Sequence, residues 1–198
     1  MRVLRYAGPA AVVWAWVVIL ISSAANPTFS VLHSPLSTLG SPGAIAPWIY
    51  NAGMMSMGSF ILLYALFLGA VAANWVEGFA SGLVGTAGIF LALVRIYHAG
   101  TTPHDFISLW FFLQFALGSS VWGVGELLRR SRSGVVFLLL GVAAPFVAHL
   151  VPWPSNGLEE CFGALAIDAF ALLTFWDHRL SAGVGVGGHR DAGLRHTP

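Results

Sequence analysis

"RIYHAGTTPHDF", Arg95–Phe106, is the stretch whose reading decides the fold. It places an Arg, two His and an Asp together in a chain that is 57% hydrophobic and only 9% charged. On its N-terminal side runs "FASGLVGTAGIFLALV" and on its C-terminal side "ISLWFFLQFALGSSVWGVGELL". A soluble domain carries roughly 25% charged residues and could keep such runs out of water only with more polar surface than this chain owns. The bilayer is the solvent that suits them, and the polar stretch then reads as a turn between two membrane-spanning helices.

Working outward from that turn, apolar runs of the length needed to cross the hydrocarbon core recur along the 198 residues. Six are expected: Tyr6–Ala25, Pro47–Ala73, Phe79–Tyr97, Asp105–Leu128, Gly134–Val151 and Leu158–Trp176. The expected fold is therefore all-α, a polytopic membrane bundle over residues 1–178, followed by a Gly-rich, polar and disordered cytoplasmic tail over 179–198. The first run also fits a cleavable signal peptide, with its basic start, apolar middle and small residues at the end. Pro145 should kink the fifth span. Gly53, Gly58, Gly82, Gly85 and Gly88 should let helices approach closely. Trp48, Tyr50, Tyr97, Trp110 and Trp153 suit an interfacial belt.

Arginine sets the expected orientation. The chain has nine basic residues and all are Arg. Arg2 and Arg5, then Arg129, Arg130 and Arg132, then Arg179, Arg190 and Arg195 fall on one side of a six-span bundle, and only Arg95 lies elsewhere. The positive-inside bias makes both termini cytoplasmic in the plasma membrane. "RIYHAGTTPHDF" then belongs to the outer face.

Composition also excludes chemistries. Without Lys no Schiff base forms on this chain. A single Cys161 excludes an internal disulfide, a CxxC zinc site and a CxxCH haem attachment. A net charge of +1 gives no electrostatic case for nucleic acid.

Sorted by depth, the outer side collects His33, Ser34, Ser37, Arg95, His98, His104, Asp105, His149, Glu159 and Glu160. Some have ordinary helix-end roles. "TTPHD" reads as a cap with Thr102 at N-cap and Pro103 at N1, and "NGLE" as a cap with Asn156 and Glu159. Arg95 and His98 share one side of their helix, and Arg95–Glu160 is expected as a salt bridge between spans three and six. Asp168 is the deepest charge. An ionised Asp near a helix centre costs roughly 2.5–3.5 kcal/mol on insertion scales, so it must carry a proton or find a partner. Gln114, Ser56 and Ser59 are the candidates.

Zinc would draw on His98, His104, His149 and Glu160, though no HExxH or HxxxH spacing is present. A Ser–His hydrolase would draw on Ser37 or Ser34 with His104, without a GxSxG elbow. Haem would need His104 and His149 on facing helices. None of these defines a cofactor.

Several segments in order carry a family resemblance. "SPLSTLG", "PWIYNAGMMSMG", "GTAGIF", "PHDFISLWFF" and "GLEECF" resemble the bacterial and archaeal membrane family called domain of unknown function 998, over roughly Ser34 to Trp176. The resemblance implies a bundle of about six helices with no assigned activity, and points to Ser37, Asn51, His104 and Glu160. The chain departs from the pattern at Leu91, where Pro is expected, and at Cys161, where Arg is expected.

The resulting expectation is an outer-facing pocket lined by Ser37, Asn51, Arg95, His98, His104 and Glu160, with Asp168 below it. Its function is that of a lipid-binding or accessory subunit, with membrane lipid or another membrane protein as partner. The alternative is a membrane-embedded hydrolase acting on a lipid or isoprenoid, with His104 as base or metal ligand, Glu160 as its partner and Ser37 as nucleophile.

Overall fold

The computed structural model describes residues 3–187, with side chains described through residue 177. Six long helices follow one another: α1 (Ala7–Ala25), α2 (Pro47–Val71), α3 (Trp75–Ile96), α4 (His104–Leu128), α5 (Ser133–Leu150) and α6 (Asn156–Gly187). No strand occurs among the described residues. The first five are each long and apolar enough to cross a membrane. α6 carries Glu159, Glu160 and Asp168 and packs back on α1, α4 and α5, closing the bundle. It continues to Gly187, into the stretch expected as tail; residues 188–198 lie outside the described residues.

The outside of the bundle is apolar. Leu20, Leu66, Phe79, Leu109, Leu139, Leu165 and Trp176 are all exposed, which water would penalise and acyl chains do not. Lipid is as apolar as Leu, so helices in it are held by close packing and specific contacts rather than by hydrophobic burial. Two such devices are visible. The first is glycine: a Cβ built on Gly58 would lie 2.6 Å from the Gly88 carbonyl oxygen, and one on Gly88 2.8 Å from the Gly58 carbonyl oxygen. α2 and α3 therefore touch backbone to backbone. Gly123 and Gly134 do the same for α4 and α5. Gly82, expected to pack this way, faces nothing within 4 Å.

The second device is aromatic. Phe170 of α6 is fully buried and receives Tyr64, Phe115, Trp122 and Phe137 edge-on, with centroid separations between 5.3 and 6.5 Å. One ring thus joins four helices through the quadrupole geometry aromatic pairs prefer. The Tyr64 hydroxyl also hydrogen-bonds Thr174.

α5 is irregular next to Pro145. Its middle, Leu139–Ala143, is π-helical, between α-helical Ser133–Leu138 and Ala144–Leu150. Pro145 has no N–H to donate and its ring crowds the preceding turn, so the chain widens by one residue there. α5 is also the least covered span, 17% buried against 44% for α2. It stands partly off α6, and that gap is where the larger cavity lies.

Three expected boundaries shift. α3 begins at Trp75 rather than Phe79, because Asn74 caps it by accepting from the Glu77 amide. α4 begins at His104 with Pro103 as N-cap and no side-chain cap, so the Thr102 cap is not made. At α6 the capping side chain is Ser155 rather than Asn156: its Oγ accepts from the Leu158 amide at 3.1 Å.

Candidate functional site

The site is built where the α1–α2 connection folds over one end of the bundle. Asn26 gathers the ends of that connection: its side chain donates to the Ser22 and Ile45 carbonyls and accepts from the Ile45 amide at 2.6 Å. Between them a 3-10 turn, Leu36–Gly40, is tucked inward, with Leu36, Ser37 and Leu39 buried. Asn51 of α2 straps this turn by donating to the Gly40 carbonyl at 2.8 Å. On the α6 side, Ser155 Oγ donates to the Val31 carbonyl at 2.5 Å. Gly157 lets the strand of loop lie flat, since a Cβ there would sit 2.3 Å from the Ser34 carbonyl oxygen.

Glu160 completes the seat. Its Oε2 accepts from the Leu36 amide at 2.6 Å. The expected Arg95–Glu160 salt bridge is not made. Arg95 instead lays its guanidinium over the Tyr50 ring, 4.5 Å from the centroid, and its Nε is buried without a hydrogen-bond partner. The physical reason is competition: the turn brings a backbone N–H to Glu160, and the buried Tyr50 offers Arg95 a π face in the same low-dielectric space. Tyr50 is 2% exposed and so is not part of an interfacial belt.

Two adjacent cavities result. The smaller, about 70 Å³, is lined by Trp16, Ser37, Tyr50, Arg95, Glu160 and Asp168 among apolar neighbours. Asp168 finds its partner on α1, where Trp16 Nε1 donates to Oδ2 at 2.7 Å. Gln114, Ser56 and Ser59 do not serve it; Ser56 is taken by Trp14 and the Gly53 carbonyl. The larger cavity, about 540 Å³, lies between α4, α5 and α6 and opens at the same end. Its polar groups include Ser37, His104, Asp105, His149, Glu159 and Glu160, and its depth is lined by Phe112, Phe115, Leu140, Ala166 and Ile167, with the exposed Leu109 on its lipid side. Ser37, Ser108, Phe112, Glu160 and Ile167 belong to both walls.

His104 is 6% exposed and its Nδ1 lies 2.8 Å from the Tyr97 carbonyl oxygen. A carbonyl only accepts, so the proton sits on Nδ1 and Nε2 carries the lone pair in the neutral ring. Of the other predicted residues, His149 lines the larger cavity. His98 lines neither; it turns to the Ala99 carbonyl. Asn51 holds the wall from behind. Among the described residues no group of three or more His, Cys, Asp or Glu is placed to hold a metal ion, so His98, His104 and His149 do not form the ligand set considered.

The opposite end of the bundle holds a cluster that the sequence reading passed over. Glu77 and Glu126 are both fully buried and share Arg129, whose Nε lies 2.8 Å from Glu77 and whose Nη2 lies 2.5 Å from Glu126. Glu77 also accepts from the Ala73 amide and Asn74, and Glu126 from Ser133. Burial alone would lower the affinity of Arg129 for its proton, but Glu126 and Glu77 outweigh it and hold the guanidinium above its ordinary value. The signal was present: Asn74-x-x-Glu77 is a capping-box spacing and Glu126–Arg129 an i,i+3 pair.

These observations define a multi-pass α-helical membrane protein with a polar-mouthed cavity at one end and an ionic clasp at the other. The chain belongs to the family described as Protein of unknown function (DUF998), whose model matches residues 9–177. Among curated proteins and solved structures, none matches it.

Proposed function

We propose that this protein binds a single membrane amphiphile in the cavity between α4, α5 and α6, with the ligand's head at the end carrying His104 and Glu159 and a chain running down past Phe112 and Ala166. The observation that carries this reading is the cavity's two-zone lining: polar groups at its mouth and apolar side chains in its depth, in about 540 Å³. That volume falls in the range of roughly 300–1,000 Å³ usual for small-molecule sites. The poorly covered α5 gives a route from the bilayer. The arginine distribution supports a mouth on the extracytoplasmic side with both termini cytoplasmic.

A hydrolase would need His104 to engage Glu160, Ser37 or another His. Among the described residues its side chain hydrogen-bonds only the Tyr97 carbonyl, through Nδ1, so Nε2 reaches none of them, and Glu160 is engaged by the Leu36 amide. The binding role therefore has the better support.

Native mass spectrometry of the full chain in mild detergent tests it. One lipid adduct is expected, and Ala166→Trp, which fills the cavity, should lower its occupancy about tenfold. Leu165→Trp, on the exposed lipid-facing side, should leave occupancy unchanged. Equal occupancy in both variants, or no adduct on the wild type, overturns the proposal.

A further inference from the structure

The head of the amphiphile has a definite chemistry, and this rests on the binding role proposed above. We infer that the cavity selects a lipid whose head carries a primary ammonium group, and disfavours an anionic head. The charged groups at the mouth are carboxylates, while its neutral polar groups, among them Asn156 and Ser37, can donate as well as accept. His104, 6% exposed, has its Nδ1 proton committed to the Tyr97 carbonyl, which leaves Nε2 to accept. Asp105 and Glu159 are acceptor-only carboxylates that line the same mouth. Neither has a hydrogen-bond or ion-pair partner among the described residues. Glu160 has one oxygen on the Leu36 amide and borders both cavities.

No Arg lines this cavity, and the chain has no Lys. Arg95 lies in the smaller cavity, across the Glu160 wall, over Tyr50. A phosphate monoester or carboxylate head would therefore meet Asp105 and Glu159, which have no fixed counter-charge; of the mouth carboxylates only Glu160 feels Arg95, from across the wall. An ammonium brings three N–H donors to a set of unfilled acceptors and neutralises part of the charge. The ring of His149 stands at the same mouth.

The test uses delipidated full chain in detergent at about pH 8, above the ordinary imidazole value. Thermal unfolding is followed while phosphatidylethanolamine, phosphatidylglycerol or glucosyl diacylglycerol of the same acyl chains is titrated in. Phosphatidylethanolamine should stabilise at about tenfold lower concentration than phosphatidylglycerol. Glu159→Gln should shrink that preference to about threefold or less. Phosphatidylglycerol equal to or better than phosphatidylethanolamine overturns the inference, and so does a glucosyl lipid that matches it, because hydroxyl donors would then suffice. Ala166→Trp separates the two levels. If it abolishes every lipid response, the cavity binds lipid and only the head assignment is at stake. If it leaves every response intact, the binding site itself is wrong.

Discussion

The guanidinium of Arg129 holds two fully buried carboxylates at once, Glu77 from the start of α3 and Glu126 from the end of α4. Replacing it leaves both buried carboxylates without their cation. Breaking a buried pair from one side costs about 3–5 kcal/mol, and since Arg129 is itself about a third exposed we expect about 2 kcal/mol for Arg129→Ala. Arg129→Lys should recover only part, because a point ammonium cannot reach both carboxylates with a fixed fork. Thermal unfolding in detergent measures both variants. Equal stability of wild type and Arg129→Ala would show that the clasp is ornamental.

The same clasp should be insensitive to alkali. A group whose folded value is raised keeps its full contribution below its unfolded value and loses it only as pH climbs past the folded one. Arg129 is raised, so the wild-type advantage over Arg129→Ala should be constant from about pH 7 to pH 9, far below the guanidinium range. A loss of that advantage within this window would contradict the assignment.

Gly58 and Gly88 give a sharper stability test. Gly58→Ala drives a methyl into the Gly88 carbonyl and should cost about 1–3 kcal/mol, the usual range for overpacking. Gly82→Ala meets open space and gains helix propensity, so it should be neutral or stabilising by up to about 1 kcal/mol. The pair of melting temperatures decides whether α2 and α3 meet along the face described.

Asp168 should depend on Trp16 more than on its charge. Trp16→Phe removes the indole donor and should cost about 1–3 kcal/mol. Asp168→Asn keeps an oxygen for the indole and should cost less. A double-mutant cycle between the two positions is expected to show coupling of about 1 kcal/mol; additive effects would mean that the contact contributes nothing.

Glu160→Ala strands the Leu36 amide and unseats the turn Leu36–Gly40. Limited proteolysis within residues 26–46 should accelerate by about tenfold, while Glu160→Gln, which keeps an acceptor, should stay near wild type. Equal cleavage of all three proteins would show that the α1–α2 connection holds its fold without Glu160.

The sequence by itself determined the solvent and hence the class of fold. Runs such as Asp105–Leu128 admit only a helix in a bilayer, because backbone polar groups there must be satisfied within the segment. It also determined that Ser37, Arg95, His104 and Glu160 gather at one end, since alternating spans return the chain to the same face. Tertiary structure decided the partners. Arg95 chose Tyr50, Glu160 the Leu36 amide, His104 the Tyr97 carbonyl and Asp168 the indole of Trp16. Depth along a helix is a local property that hydropathy encodes, whereas partnership depends on rotation about each helix axis and on how a folded connection competes for the same acceptors. The Glu77–Arg129–Glu126 clasp lay on the same divide: its spacings were legible, but the proximity of α3's start to α4's end exists only once the helices have packed.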